Sequence, residues 1–158
     1  MSDQSRLDDQ NRIRSAGKVR RLSLDDLGIP LTDESDTRAE KLLEAAEDVA
    51  PNTIGDGPER GAAVMTAGGT IYAAARIETP DQRQTSHALE LAIKQALSDG
   101  ASRVVEATVV ATEESISVCG DCRGLIASFG TEDTVVRGVV DGDEVFKSTV
   151  GELLPDEL

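Results

Sequence analysis

Apolar residues recur at helical spacing over residues 36–49, where Ala39, Leu42, Leu43, Ala46 and Val49 share a face and Pro51 stops the run. Two β-rich runs follow, 62–66 and 70–77, joined by Ala67-Gly68-Gly69, and this spacing predicts a hairpin. A second helix is expected from Ser86, a serine suited to an N-cap, to about residue 97, with Asp99-Gly100 ending it. The valine-rich run 104–111 predicts a buried strand. A third helix is expected from Cys119-Gly120 to Phe129-Gly130. Runs 134–140 and 144–148 then predict strands around Asp141-Gly142-Asp143, with a short helix over 150–154. The order α-β-β-α-β-α-β-β-α implies an α/β fold in which one mixed sheet carries packed helices.

Composition alters this picture in two respects. The 158 residues include two Phe, one Tyr and no Trp, so the core must be aliphatic. No apolar run approaches the roughly 20 residues of a membrane span, and the opening MSDQSRLDDQNRIRSAG lacks the apolar stretch of a secretory signal. A cytoplasmic protein is therefore expected, with no membrane partner. In that compartment a C-x-x-C pair reads as metal or redox chemistry before structural disulfide.

Net charge is −14, from 30 acidic and 16 basic residues. Such a surface repels nucleic acid and anionic membranes and suits a salt-adapted protein; an acidic nucleic-acid mimic, or a face for a basic partner, is the alternative. The charge is also uneven. Residues 1–22 carry six basic residues (Arg6, Arg12, Arg14, Lys18, Arg20, Arg21) against three acidic, for +3, which leaves −17 on the remainder. That segment is polar and has no sustained period. Residues 1–34 therefore read as a basic, flexible arm and 35–158 as the folded domain. Contact with nucleic acid is expected only through the arm.

Candidate chemistry lies at the starts of the second and third helices. Cys119-Gly120-Asp121-Cys122 places two thiols in one helical first turn, where the dipole favours thiolate. His87, the single histidine, stands 32 residues before Cys119. These three donors suit zinc with one position open. A pair of buried or redox-active thiols beside an incidental histidine is the alternative, and a thiol redox module follows from it.

The runs Thr85-Ser86-His87-Ala88, Ala92-Ile93, Cys119-Gly120-Asp121-Cys122-Arg123 and Glu152-Leu153-Leu154-Pro155 resemble the cytidine deaminase family in order and spacing. Gly61-Ala62-Ala63-Val64, Gly69-Thr70-Ile71-Tyr72 and Ile77-Glu78 are similar to that family's paired strands. The resemblance runs from about residue 40 to the end. It implies a three-layer fold on a five-stranded mixed sheet, with His87, Cys119 and Cys122 holding zinc. It further implies that Arg123 tempers the thiolates, that Glu78 contacts a ribose hydroxyl, and that the chain forms a homo-oligomer around a nucleoside-like small molecule.

The departures bear on activity. Family members place a proton-shuttling glutamate two residues after the histidine, whereas this chain reads His87-Ala88-Leu89. Arg76 stands where an asparagine usual to the family would stand, Pro58-Glu59-Arg60 lacks the base-stacking aromatic, and Val118 and Gly124 replace a proline and a glutamine. Glu90 is the candidate replacement shuttle. At i+3 from His87 it shares a helix face, so it is also a candidate to orient the histidine or to become a fourth zinc ligand, and otherwise it is a solvated surface charge. Two functions follow: hydrolytic deamination of a cytidine-like nucleoside or related amino-heterocycle, or a catalytically silent homologue with a structural zinc that acts as a binding module.

The charge distribution predicts that melting temperature climbs with potassium chloride, because the Debye length falls from about 10 Å at 0.1 M to about 3 Å at 1 M. A flat or falling melting temperature in a salt series rejects salt adaptation.

Overall fold

The computed structural model describes residues 19–21, 34–112 and 120–153. In chain order the elements are β1 (Val19–Arg21), α1 (Glu34–Val49), a 3-10 turn (Ala50–Asn52), β2 (Arg60–Thr66) and β3 (Thr70–Ala75). A second 3-10 turn (Gln82–Gln84), α2 (Ala88–Ser98), β4 (Val104–Ala111) and α3 (Gly120–Phe129) follow. The described chain ends with β5 (Val135–Val140), β6 (Asp143–Thr149) and α4 (Val150–Leu153).

The sheet order is β1-β3-β2-β4-β5-β6. All neighbours are antiparallel except β4 and β5, which run parallel on either side of the α3 crossover. This is the expected five-stranded mixed sheet, extended at one edge by β1. That strand lies inside the segment read as an arm, and it pairs Val19 with Tyr72 and Arg21 with Thr70. Three residues without periodicity give no strand signal, since the pairing is supplied by the exposed edge of β3 rather than by a hydrophobic face.

Strand alternation sorts the core into two layers. On one face Leu42, Ala45, Ala46 and Val49 of α1 bury against Ala63, Met65, Ile71, Ala73, Val110 and Val139. On the other, Leu89, Ala92, Ile93 and Ala96 of α2, Cys122 and Ile126 of α3 and Val150 of α4 bury against Ala62, Val64, Tyr72, Ala107 and Val136. The result is three layers, helix on sheet on helix. Gly61 fixes how closely α1 sits, because a Cβ there would strike the Ala46 carbonyl. Among the described residues no helix is long and apolar enough to cross a membrane.

The α1 layer contains a buried charge cluster. Glu106 of β4 is 2% exposed and Arg137 of β5 is 7% exposed. Arg137 donates from one guanidinium nitrogen to Glu106, and Arg38 of α1 donates from Nε to the other carboxylate oxygen at 3.2 Å. One carboxylate thus ties α1 to β4 and to the parallel neighbour β5. Removing the acid leaves two cations facing each other at low dielectric, which costs far more than the intact cluster contributes.

Glu106→Gln is therefore expected to lower stability by about 3 kcal/mol or more, whereas Arg38→Ala, whose side chain is 27% exposed, is expected to cost about 1 kcal/mol. Urea unfolding of both variants checks the order; equal costs contradict it.

Candidate metal centre

The Ile77–Ser86 bridge leads the chain from β3 into α2. Ile77 and Ser86 exchange both backbone hydrogen bonds, 3.0 and 2.8 Å, as an antiparallel pair. The next residue, His87, is extended (φ −74°, ψ 150°) and is itself the N-cap of α2, one position later than the serine expected from sequence. Serine is the commoner cap, but here the Ser86 backbone is held by the bridge, so the helix begins after His87.

On the adjacent helix, Cys122 lies in the first turn of α3 and is 4% exposed. His87 is exposed, and its Nδ1 lies 3.5 Å from Cys122 Sγ. For zinc bonded to nitrogen at about 2.0–2.1 Å and sulfur at about 2.3 Å, a tetrahedral angle gives an N···S edge of about 3.5 Å. The two donors therefore fit one zinc ion by spacing and by chemistry. Cys119, the third expected donor, lies outside the described residues, as do Leu154 and Pro155. Among the described residues no third His, Cys, Asp or Glu joins the pair as a metal-holding group. Arg123, next to Cys122, is half-buried.

Glu90 is committed to its helix. Its Oε1 accepts the His87 backbone N–H at 3.2 Å, and its Oε2 accepts from Lys94 Nζ at 3.0 Å. Burial pushes its carboxyl upward, but the Lys94 ammonium and the His87 N–H outweigh this and hold it below the ordinary value of 4.5. Sequence reasoning placed the N-cap one residue early and so missed this capping-box role; with His87 as N-cap, Glu90 falls at N3, the position that reaches back to the cap. The Lys94 partner was legible at i+4.

Leu89, which occupies the shuttle position implied by the resemblance, is 3% exposed and packs in the core cluster that also contains Cys122, Ala62 and Val64. Glu78, the implied ribose contact, is exposed, and its carboxylate accepts from Arg76 Nη1 at 3.2 Å. Beneath it passes Gly55, whose φ of +129° and whose lack of a Cβ next to the Glu78 side chain together require glycine. Ile54 brackets the same stretch, donating to the Arg76 carbonyl and accepting from the Glu78 N–H.

A sequence model of the cytidine and deoxycytidylate deaminase zinc-binding region matches residues 36–137. A cytidine deaminase of Sporosarcina psychrophila is 36% identical over 96 residues, which span 60% of this chain and 71% of that protein. A cytidine deaminase of Halalkalibacterium halodurans is 37% identical over 97 residues, 60% of this chain and 73% of that one. The crystal structure of a cytidine deaminase from Burkholderia pseudomallei matches with a TM-score of 0.69 and 25% identity, over 75% of this chain and 98% of that one.

Glu90→Ala is expected to cost about 1 kcal/mol through loss of the helix cap while leaving bound zinc unchanged. Because the folded carboxyl titrates below its ordinary value, this contribution is complete above 4.5 and is lost as pH falls through the depressed folded value. Wild type and variant should therefore converge in acid. Chemical denaturation across pH with metal analysis checks this; loss of zinc in Glu90→Ala makes the residue a ligand or a support for one.

Proposed function

The chain belongs to the cytidine and deoxycytidylate deaminase zinc-binding family, and from that premise we propose that it is a zinc-holding member in which ordinary cytidine hydrolysis is silenced and the site binds rather than converts. His87, Cys119 and Cys122 are the proposed ligands, with Arg123 tempering the thiolate charge. When bound, zinc supplies Lewis-acid activation of a water. What this chain lacks is the group that moves protons.

The observation that carries the reading is the burial of Leu89 in the apolar core at the position where zinc deaminases use a glutamate that does not ligate the metal. A positioned acid–base group contributes roughly 10²–10⁴-fold for each transfer, and deamination asks for more than one. Glu90 would have to break with both Lys94 and the His87 N–H to take the role, and its carboxylate is better stabilised where it is. The alternative, an active hydrolase on a related amino-heterocycle, requires that exchange.

Two further parts of the reading concern assembly. The exposure of His87 in the single chain supports a homo-oligomer in which a second copy covers the site. The start of α1 at Glu34 supports a domain from about residue 35, with residues 1–34 as an arm tied down at β1.

Purified with its thiols reduced, the protein is expected to hold about one zinc per chain, to lose it in Cys122→Ser, and to deaminate cytidine no faster than the uncatalysed reaction within assay sensitivity. Leu89→Glu is expected to raise cytidine deamination by one or more orders of magnitude. Zinc-loaded wild type turning over cytidine at the ordinary enzymatic 1–10³ s⁻¹ or so overturns the silent reading; absence of zinc overturns the metal centre.

A further inference from the structure

The pairing of β1 stops short of His87 on the edge of β3 that His87 also adjoins. Val19 stands opposite Tyr72, Arg20 opposite Ile71 and Arg21 opposite Thr70. Further along, Ile77 exchanges both backbone bonds with Ser86. His87 follows Ser86 in an extended conformation, which sets it across from Arg76. Between the two pairings lies Ala73-Ala74-Ala75, and among the described residues no strand runs beside it on this edge.

Backbone direction makes the stretch an open edge. The Arg76 N–H donates to the Arg60 carbonyl on the β2 side at 3.0 Å, whereas Ile77 turns its N–H and carbonyl to Ser86 on the other side. Alternation then directs the backbone groups of Ala73 and Ala75 to the β1 side. Such a row is a template for a further strand.

The gap selects its occupant. A separate strand confined to 73–75 would be at the short limit for a strand and would lose its freedom of motion for few bonds. The residues that precede β1 face no such cost, because they lengthen a ladder already in register. Continued along β3, that register sets Lys18 opposite Ala73, Gly17 opposite Ala74 and Ala16 opposite Ala75. The result is a strand of ordinary length over 16–21. His87 holds the next position, so the pairing ends there. Charge favours the same segment. Ile71 and Ala73 belong to the layer that buries against α1, so Arg20 and Lys18 fall at positions on the face that carries α1. That helix holds six acidic residues against two basic ones.

We infer that the open edge at 73–75 is the docking surface of the chain's own N-terminal arm, with residues 16–18 extending β1 as far as His87. Eighteen residues precede Val19. With 16–18 on the edge, Arg14 and Arg12 stand two and four residues beyond Ala16, within about 7 and 13 Å of extended chain. The arm thereby delivers a basic segment to the mouth of the His87–Cys122 centre, on a chain whose net charge is −14. This docking depends neither on zinc nor on turnover, so it goes beyond the reading above.

Nuclear magnetic resonance of the isotope-labelled full chain tests it. In the extended register Gly17 and Ala74 form a non-hydrogen-bonded antiparallel pair with Cα atoms about 4.5 Å apart, so a direct cross-peak between their Hα protons is expected. In Ala16→Pro the ring takes the place of the N–H that faces β3. The cross-peak is expected to vanish and the Ala75 amide to exchange about tenfold faster or more, while the Ile71 amide, opposite Arg20, stays protected. Absence of the cross-peak in the wild type, or Ala75 exchange unchanged in Ala16→Pro, overturns the docking. A cross-peak that arises only between labelled and unlabelled chains of a mixed sample places a second copy's arm on the edge and overturns the assignment to the chain's own. Zinc content enters none of these readouts, so failure of the docking and failure of the metal reading are told apart.

Discussion

Close seating of helices on a small-residue sheet is the constraint on which the other features depend. With two Phe, one Tyr and no Trp, the core has one fully buried ring, Tyr72, with which to span a gap between layers. Contact must come from approach: Gly61 lets the Ala46 carbonyl sit against β2, and Ala62, Ala63, Ala73 and Ala107 present methyl-sized surfaces to helices on both faces. Dispersion decays steeply with separation, so a core of alanine and valine is cohesive only at full packing density. The same close seating fixes where α2 and α3 begin relative to each other, and hence the 3.5 Å between His87 Nδ1 and Cys122 Sγ.

Several carboxylates near functional positions are already engaged by neighbours. Glu106 is clamped between Arg38 and Arg137, Glu90 between Lys94 and a backbone N–H, and Glu78 is held by Arg76. In the first case the pairing holds layers together. In the other two it engages acids that were candidates for other roles, a replacement proton shuttle or zinc ligand for Glu90 and the ribose contact implied by the resemblance for Glu78. A zinc site can persist under these conditions, because imidazole and thiolates bind metal without a nearby proton relay, whereas hydrolysis of an amino-heterocycle cannot proceed at useful rates without one. The proposed division between holding a metal and converting a substrate follows from this asymmetry.

The sequence by itself determined the order of the elements from α1 onward and the helix-on-sheet packing, and it offered His87, Cys119 and Cys122 as candidate metal donors. Each depends on local periodicity or on residue chemistry at fixed spacing: apolar residues every three to four along α1 and α2, the valine run of β4, and a histidine and C-x-x-C at helix starts. It also showed Leu89 standing at the shuttle position. What Leu89 and its neighbours do was decided by tertiary structure. The true N-cap, and with it the role of Glu90, depended on a backbone bridge between Ile77 and Ser86, nine residues apart in sequence. The edge strand β1 depended on an unpaired edge of β3. Hydrogen-bond register and burial are relations between distant segments, and no periodicity along the chain encodes which side chain will stand opposite which.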